Sequence, residues 1–109
     1  MTAPFTAQLR ARPETIVLGA ADATPRWTVR VEMPEVWDVV RFSAPPSEPL
    51  IALKVRALDA LYPDAVYHED FVMKLSGVVV ADENATLADT GAANGSIFLL
   101  QFRRRRPVR

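Results

Sequence analysis

The sequence predicts an α+β domain: a mixed sheet laid down in ββαβββ order, with one helix packed across one face. Three observations carry this. Trp27, Val29, Val31 and Met33 alternate with Thr28, Arg30 and Glu32, the period of two that a strand with one buried face requires. Ile51, Val55, Leu58 and Tyr62 recur at spacings of four, three and four, an apolar helical stripe. Short apolar runs then return near Phe71, Val78 and Ile97. A lone amphipathic helix and a one-sided sheet can bury their apolar faces only against each other.

After the first strand, Pro34-Glu35 breaks the run, and Val36-Trp37-Asp38-Val39-Val40-Arg41-Phe42 resumes it, a hairpin signal. Ala44-Pro45-Pro46 stops the second strand, because proline cannot donate to a ladder. Ser47-Glu48-Pro49 reads as a helix start with a capping hydroxyl, and Pro63 ends a helix over residues 50–62. Phe71-Val72-Met73-Lys74-Leu75 and Val78-Val79-Val80 flank Ser76-Gly77 as third and fourth strands. A long connection leads to the last strand, Ser96-Ile97-Phe98-Leu99-Leu100-Gln101-Phe102. The inner face is expected to hold Val29, Val31, Met73, Leu75, Ile97 and Leu99.

The predicted organisation is an irregular arm over residues 1–26, the domain over 27–103 and a basic tail over 104–109. Pro4, Pro13 and Pro25 punctuate the arm, and only Ile16-Val17-Leu18 offers a short strand or docking segment. At 109 residues and 12.1 kDa the chain has the size of one domain. It has no cysteine, which removes disulfides, thiolate metal sites and cysteine nucleophiles. No basic stretch followed by a long apolar run opens it, and no run is long enough to span a bilayer, so a cytoplasmic setting is expected. The formal charge of +0 conceals a division: residues 1–102 carry −5 and the last seven positions +5. Eleven of the 13 basic residues are Arg, and the two lysines are Lys54 and Lys74.

The segment from Ser76-Gly77 through Val78-Val79-Val80, Asp82-Glu83-Asn84 and Thr86-Leu87-Ala88-Asp89, followed by Ser96-Ile97-Phe98-Leu99-Leu100-Gln101-Phe102-Arg103, resembles ubiquitin. It has the small-Gly turn, the short strand, the acidic turn, the Thr-Leu-x-Asp segment and a closing strand with an arginine-bearing end. With the element order, this makes the expected fold a ubiquitin-like β-grasp. The resemblance also marks two departures. Ubiquitin-type modifiers end in Gly-Gly, whereas this sequence ends Arg106-Pro107-Val108-Arg109 and contains no Gly-Gly. Lys74 stands where ubiquitin carries its central recognition isoleucine, so eukaryotic ubiquitin receptors are not expected to bind this surface.

Candidate chemistry is sparse, and neither an enzyme nor a cofactor is expected. His68 beside Glu69 and Asp70 lacks the partners that fix a metal or acid–base geometry, and reads as a loop histidine. Asp82-Glu83-Asn84 does not continue into a calcium loop. Gly91-Ala92-Ala93-Asn94-Gly95 precedes a strand and has no following Lys-Ser/Thr, so it is not a phosphate cradle. If Ile97 and Leu99 face the helix, Phe98, Leu100 and Phe102 face away, joined by Val72 and Lys74. Such an apolar outer face calls for a cover: a protein partner, a second copy or the N-terminal arm. Arg103, Arg104, Arg105 and Arg106 read as a docking arm for an acidic protein, as a phosphate-binding run or as a solvated tail. The net-acidic remainder disfavours nucleic acid and membrane.

The expected function is therefore a non-enzymatic ubiquitin-like protein acting by protein–protein contact. The resemblance implies a bacterial ubiquitin-like pathway, with an adenylating or conjugating enzyme as a partner. Two alternatives remain open: a covalent modifier with a divergent or processed C-terminus, and an adaptor tethered to nucleic acid or membrane through the arginine run.

Overall fold

The structure, a computed structural model, describes residues 15–20 and 22–103. The elements are β1 (Thr15–Val17), β2 (Trp27–Met33), β3 (Asp38–Ala44), α1 (Leu50–Leu61), β4 (Phe71–Leu75), β5 (Val78–Val79) and β6 (Ile97–Phe102). They form one sheet in the order β1-β3-β2-β6-β4-β5. Its central pair, β2 and β6, is parallel, as is the edge pair β1–β3, and the others are antiparallel. The mixed sheet with one helix across it is the α+β arrangement expected.

Two turns set the hairpins. Between β2 and β3, Pro34–Val36 makes a 3-10 turn closed by Trp37 in the left-handed region (φ 57°), whose amide donates to the Pro34 carbonyl. Between β4 and β5, Ser76 (φ 54°) and Gly77 (φ 83°) are both left-handed, the two-residue loop whose twist matches that of the strands it joins.

Helix α1 starts without the side-chain cap expected from Ser47. Pro49 is the cap residue, and the first free amides find backbone acceptors instead: Leu50 N–H donates to Ala85 O (2.9 Å) and Ile51 N–H to Glu83 O (2.8 Å). The helix buries Leu50, Leu53, Lys54, Ala57, Leu58 and Leu61. The expected stripe is thus displaced: Leu58 is inside, but Val55 is exposed and Ile51 half-buried. Both sets of spacings fit a helix, and Lys54 within the true stripe makes the other look more apolar.

Val29, Val31 and Met33, Val40, Phe42 and Ala44, Phe71 and Met73, and Phe98 and Leu100 supply the sheet's side of the core. Val29, Val31 and Met73 are inside as expected, and Leu75 packs against the cluster while half-buried. Strand β6 lies in the opposite register from the one expected. Phe98 and Leu100 are fully buried, whereas Ile97 is 40% exposed and Leu99 half-buried. The run Ile97-Phe98-Leu99-Leu100 is apolar on both faces, so its own alternation does not choose a side. A one-residue error then reverses every side chain.

The N-terminal boundary also moves. Thr15–Val17 is not irregular but a sixth strand, parallel to β3, and Leu18 enters the core. Ile16-Val17-Leu18 therefore extends the sheet's edge and does not cover its outer face, and the folded unit includes residues from Thr15 onward. Beyond it Gly19 (φ 71°) turns the chain so closely over Pro45 that an added Cβ would lie 3.0 Å from the ring. The rest of the expected arm, residues 1–14 and 21, and the tail, residues 104–109, lie outside the described residues. No helix among the described residues is long and apolar enough to cross a membrane.

Candidate protein-contact face

The sheet register places particular side chains together on the face away from α1, because directly opposed residues share a face. One row runs Val79, Lys74, Leu99, Glu32, Val39 across five strands. Beside it, Val72 opposes Gln101 on one flank, and Ile97, Arg30, Arg41 and Thr15 form the next row on the other. Val72 and Lys74 thus stand on the outer side of the sheet, but Lys74 is half-buried and Val72, only 8% exposed, offers little surface there. Their neighbours on β6 are Ile97, Leu99 and Gln101.

Phe98 and Leu100 are accordingly removed from the candidate contact face, and Phe102, 45% exposed, is left only at its end. Phe98 and Leu100 are core residues with no exposed surface. Phe102, of the same parity, closes the helix side with an aromatic cluster. Its ring lies 4.8 Å from that of Phe71 and meets Tyr62 edge-on at 5.6 Å, and Tyr62 meets Phe71 at 5.7 Å. The sequence held a signal that would have corrected this: Gln101 and Arg103 share parity with Ile97 and Leu99, and two polar residues mark the solvent side.

Val79 and Ile97 keep 45% and 40% of their surface exposed, so the outer face presents aliphatic area among charged and amide groups. A shallow groove lined by Val72, Lys74, Val79, Gln101, Phe102 and Arg103 crosses its end, with Glu35 of the β2–β3 turn at the rim. Arg103, the first residue of the expected docking arm, is held down: its amide donates to Asp70 O (2.7 Å) and its Nε to Glu69 O (2.8 Å). Arg104, Arg105 and Arg106 lie outside the described residues.

The residues weighed for chemistry lie in turns and connections. His68 sits in a 3-10 turn with Nε2 3.5 Å from a Glu69 carboxylate oxygen. In the acidic turn, Asp82 Oδ1 accepts the Asn84 amide. Glu83 makes a contact that sequence reasoning missed, since both of its oxygens, at 2.9 Å, accept from the Lys54 ammonium inside the helix. The glycine-bounded loop is tied to β2, with Asn94 Oδ1 accepting Thr28 N–H (2.7 Å) and Gly95 N–H donating to Thr28 O (2.8 Å). No group of three metal-ligating side chains occurs among the described residues.

Comparison with solved structures assigns the architecture. The C-terminal ubiquitin-like domain of mouse tubulin-specific chaperone e superposes with a TM-score of 0.64 at 12% identity, covering 83% of this chain and 100% of that one. A ubiquitin-like domain of an Arabidopsis thaliana protein gives 0.60 at 14% identity, covering 84% and 95%. The ubiquitin of Caldiarchaeum subterraneum gives 0.59 at 13% identity, covering 73% and 96%. No family model and no curated protein matches the sequence. The fold is a ubiquitin-like β-grasp, here with β1 added beside β3.

Proposed function

We propose that this chain is a non-enzymatic interaction module that engages a protein partner through its outer sheet face. The observation that carries the reading is the placement of Ile97, Leu99 and Val79 on a face that α1 does not cover. Solvated sheet faces are ordinarily polar, and aliphatic area of this kind is what a partner buries. The shared architecture with ubiquitin-like domains supports a role in a ubiquitin-like pathway, where an adenylating or conjugating enzyme is the partner of choice.

The test is affinity capture from the source cells with full-length bait, comparing the wild type with Leu99→Glu and with Arg56→Gln on the exposed side of α1. A protein retained by the wild type and Arg56→Gln but lost with Leu99→Glu, whose fold is checked by NMR, supports the reading. Capture indifferent to Leu99→Glu and Ile97→Glu overturns it. Intact mass measurement of the recovered bait reports a covalent adduct, which would move the assignment to a modifier.

A further inference from the structure

Charge is divided between the two sides of this domain. Arg30, Arg41, Lys74 and Arg103 stand on or border the outer sheet face against two acids, Glu32 in its strand rows and Glu35 at the rim of the groove. The body is otherwise acidic, with Asp59 on the exposed side of α1 and Asp64, Glu69, Asp82 and Asp89 on the connections. The centre of the basic face is a pair: Arg30 on β2 lies directly opposite Arg41 on β3. The Arg30 amide donates to Ser96 O toward β6, so the two arginines form a non-hydrogen-bonded pair. That is the closer of the two antiparallel spacings, about 4.5 Å between Cα atoms. Like charges so placed destabilise a sheet. Neither guanidinium has an ion-pair or side-chain hydrogen-bond partner among the described residues. Ile97, 40% exposed, borders the pair directly on β6.

Resting on the protein-contact reading above, we infer that this face takes an acidic segment of its partner, with carboxylates on Arg30 and Arg41 and an aliphatic side chain against Ile97 and Leu99. The planar guanidinium forks each match a carboxylate bidentately, and a bound carboxylate removes the repulsion that the pair suffers alone. Lys74 and Arg103 extend the positive field toward the groove and favour the approach of an acidic chain. A nucleic acid fits the face less well. Glu32 sits among the basic residues, aliphatic groups occupy the middle, and no aromatic ring stands on these rows for bases to stack on.

The probe is a synthetic peptide in which Glu and Asp flank Leu, titrated into the isotope-labelled full chain and followed by NMR. The expected result is shifts clustered at residues 30–32, 39–41 and 97–101, with affinity falling as salt is raised. Replacing both Arg30→Gln and Arg41→Gln should weaken binding by at least about tenfold, and Arg56→Gln should leave it unchanged. Parallel arms use a DNA duplex, phosphatidylserine vesicles and the chain alone at rising concentration. Preferential binding of DNA or vesicles, self-association through these rows, or peptide affinity unmoved by the arginine replacements each overturns the inference. The two readings separate cleanly in partner capture. Loss with Leu99→Glu and retention with the double arginine variant sinks the acidic-segment assignment and leaves the contact face standing, whereas indifference to both sinks the face itself.

Discussion

Lys54, in the middle of α1 with no exposed surface, gives its ammonium to both carboxylate oxygens of Glu83 at 2.9 Å each. Glu83 belongs to the loop whose backbone also caps the helix through Glu83 O and Ala85 O. One loop thus neutralises a buried charge and satisfies the helix's free amides. Removing one partner strands the other: Glu83→Ala should cost about 3–5 kcal/mol in urea unfolding. Lys54→Met should cost less, because the Glu83 side chain keeps 15% of its surface in water. The pair Lys54→Met with Glu83→Leu should recover most of the loss. Additive single losses in this cycle would show that the ion pair is not the coupling element.

The register of β6 is tested by a contrast between neighbours. Phe98→Ala should cost about 3–5 kcal/mol and Leu100→Ala about 2–5 kcal/mol, because both truncations open space in a packed core. Ile97→Ala and Leu99→Ala remove partly exposed side chains and should each cost about 1 kcal/mol or less. Unfolding curves that reverse this order would restore the register expected from the sequence.

What was legible in the sequence follows from where the signal was local. The β2 alternation, the hairpin break at Pro34, the Ser76-Gly77 turn and the stop at Pro63 each rest on adjacent residues, and each stands in the structure. The choices that failed needed a partner outside the segment. β6 is apolar on both faces, and only its pairing with β2 and β4 decides which side is buried. Lys54 breaks the apolar stripe of α1 in sequence, and Glu83, far along the chain, is what makes its burial tolerable. Ile16-Val17-Leu18 is too short to declare itself, and β1 exists because β3 offers it an edge. The contact face carries the β6 error for Phe98 and Leu100. Val72 and Lys74 lie on the expected side of the sheet because polar Lys74 marks the parity of β4, although Val72 itself is buried.

Trp37 holds a left-handed backbone with φ 57° while 71% of its surface is exposed. An ordinary L-residue pays about 1–2 kcal/mol for that conformation, and Asn is among the few that adopt it readily. Trp37→Ala and Trp37→Asn lose the same ring contacts, so their difference isolates the backbone. The Asn variant should be the more stable by about 0.5–1 kcal/mol in denaturant titration. Equal stabilities would mean that the turn relaxes when the ring is gone.

Arg26 fastens the added strand. Its Nη2 donates to Leu18 O (2.6 Å) and Ser43 O (2.8 Å), its Nε to Ser43 Oγ (2.9 Å), and its Nη1 to Ala20 O. One guanidinium thereby joins the exit of β1 to the end of β3, where Leu18 N–H already donates to Ser43 O at 2.9 Å. β1 has only three residues and lies at the edge, so this fork is a large part of what keeps it paired. Hydrogen exchange at the Leu18 amide reads the local opening directly. Arg26→Gln should speed it by about tenfold or more, equivalent to at least ~1.4 kcal/mol of local stability. Global unfolding should move less, because β2, β3 and α1 keep their mutual contacts. Arg26→Lys should not restore protection, since an ammonium lacks the planar fork that spans three acceptor residues at once. Unchanged exchange at Leu18 in Arg26→Gln would show that packing of Leu18 and Ile16 on the core holds β1 without the clamp.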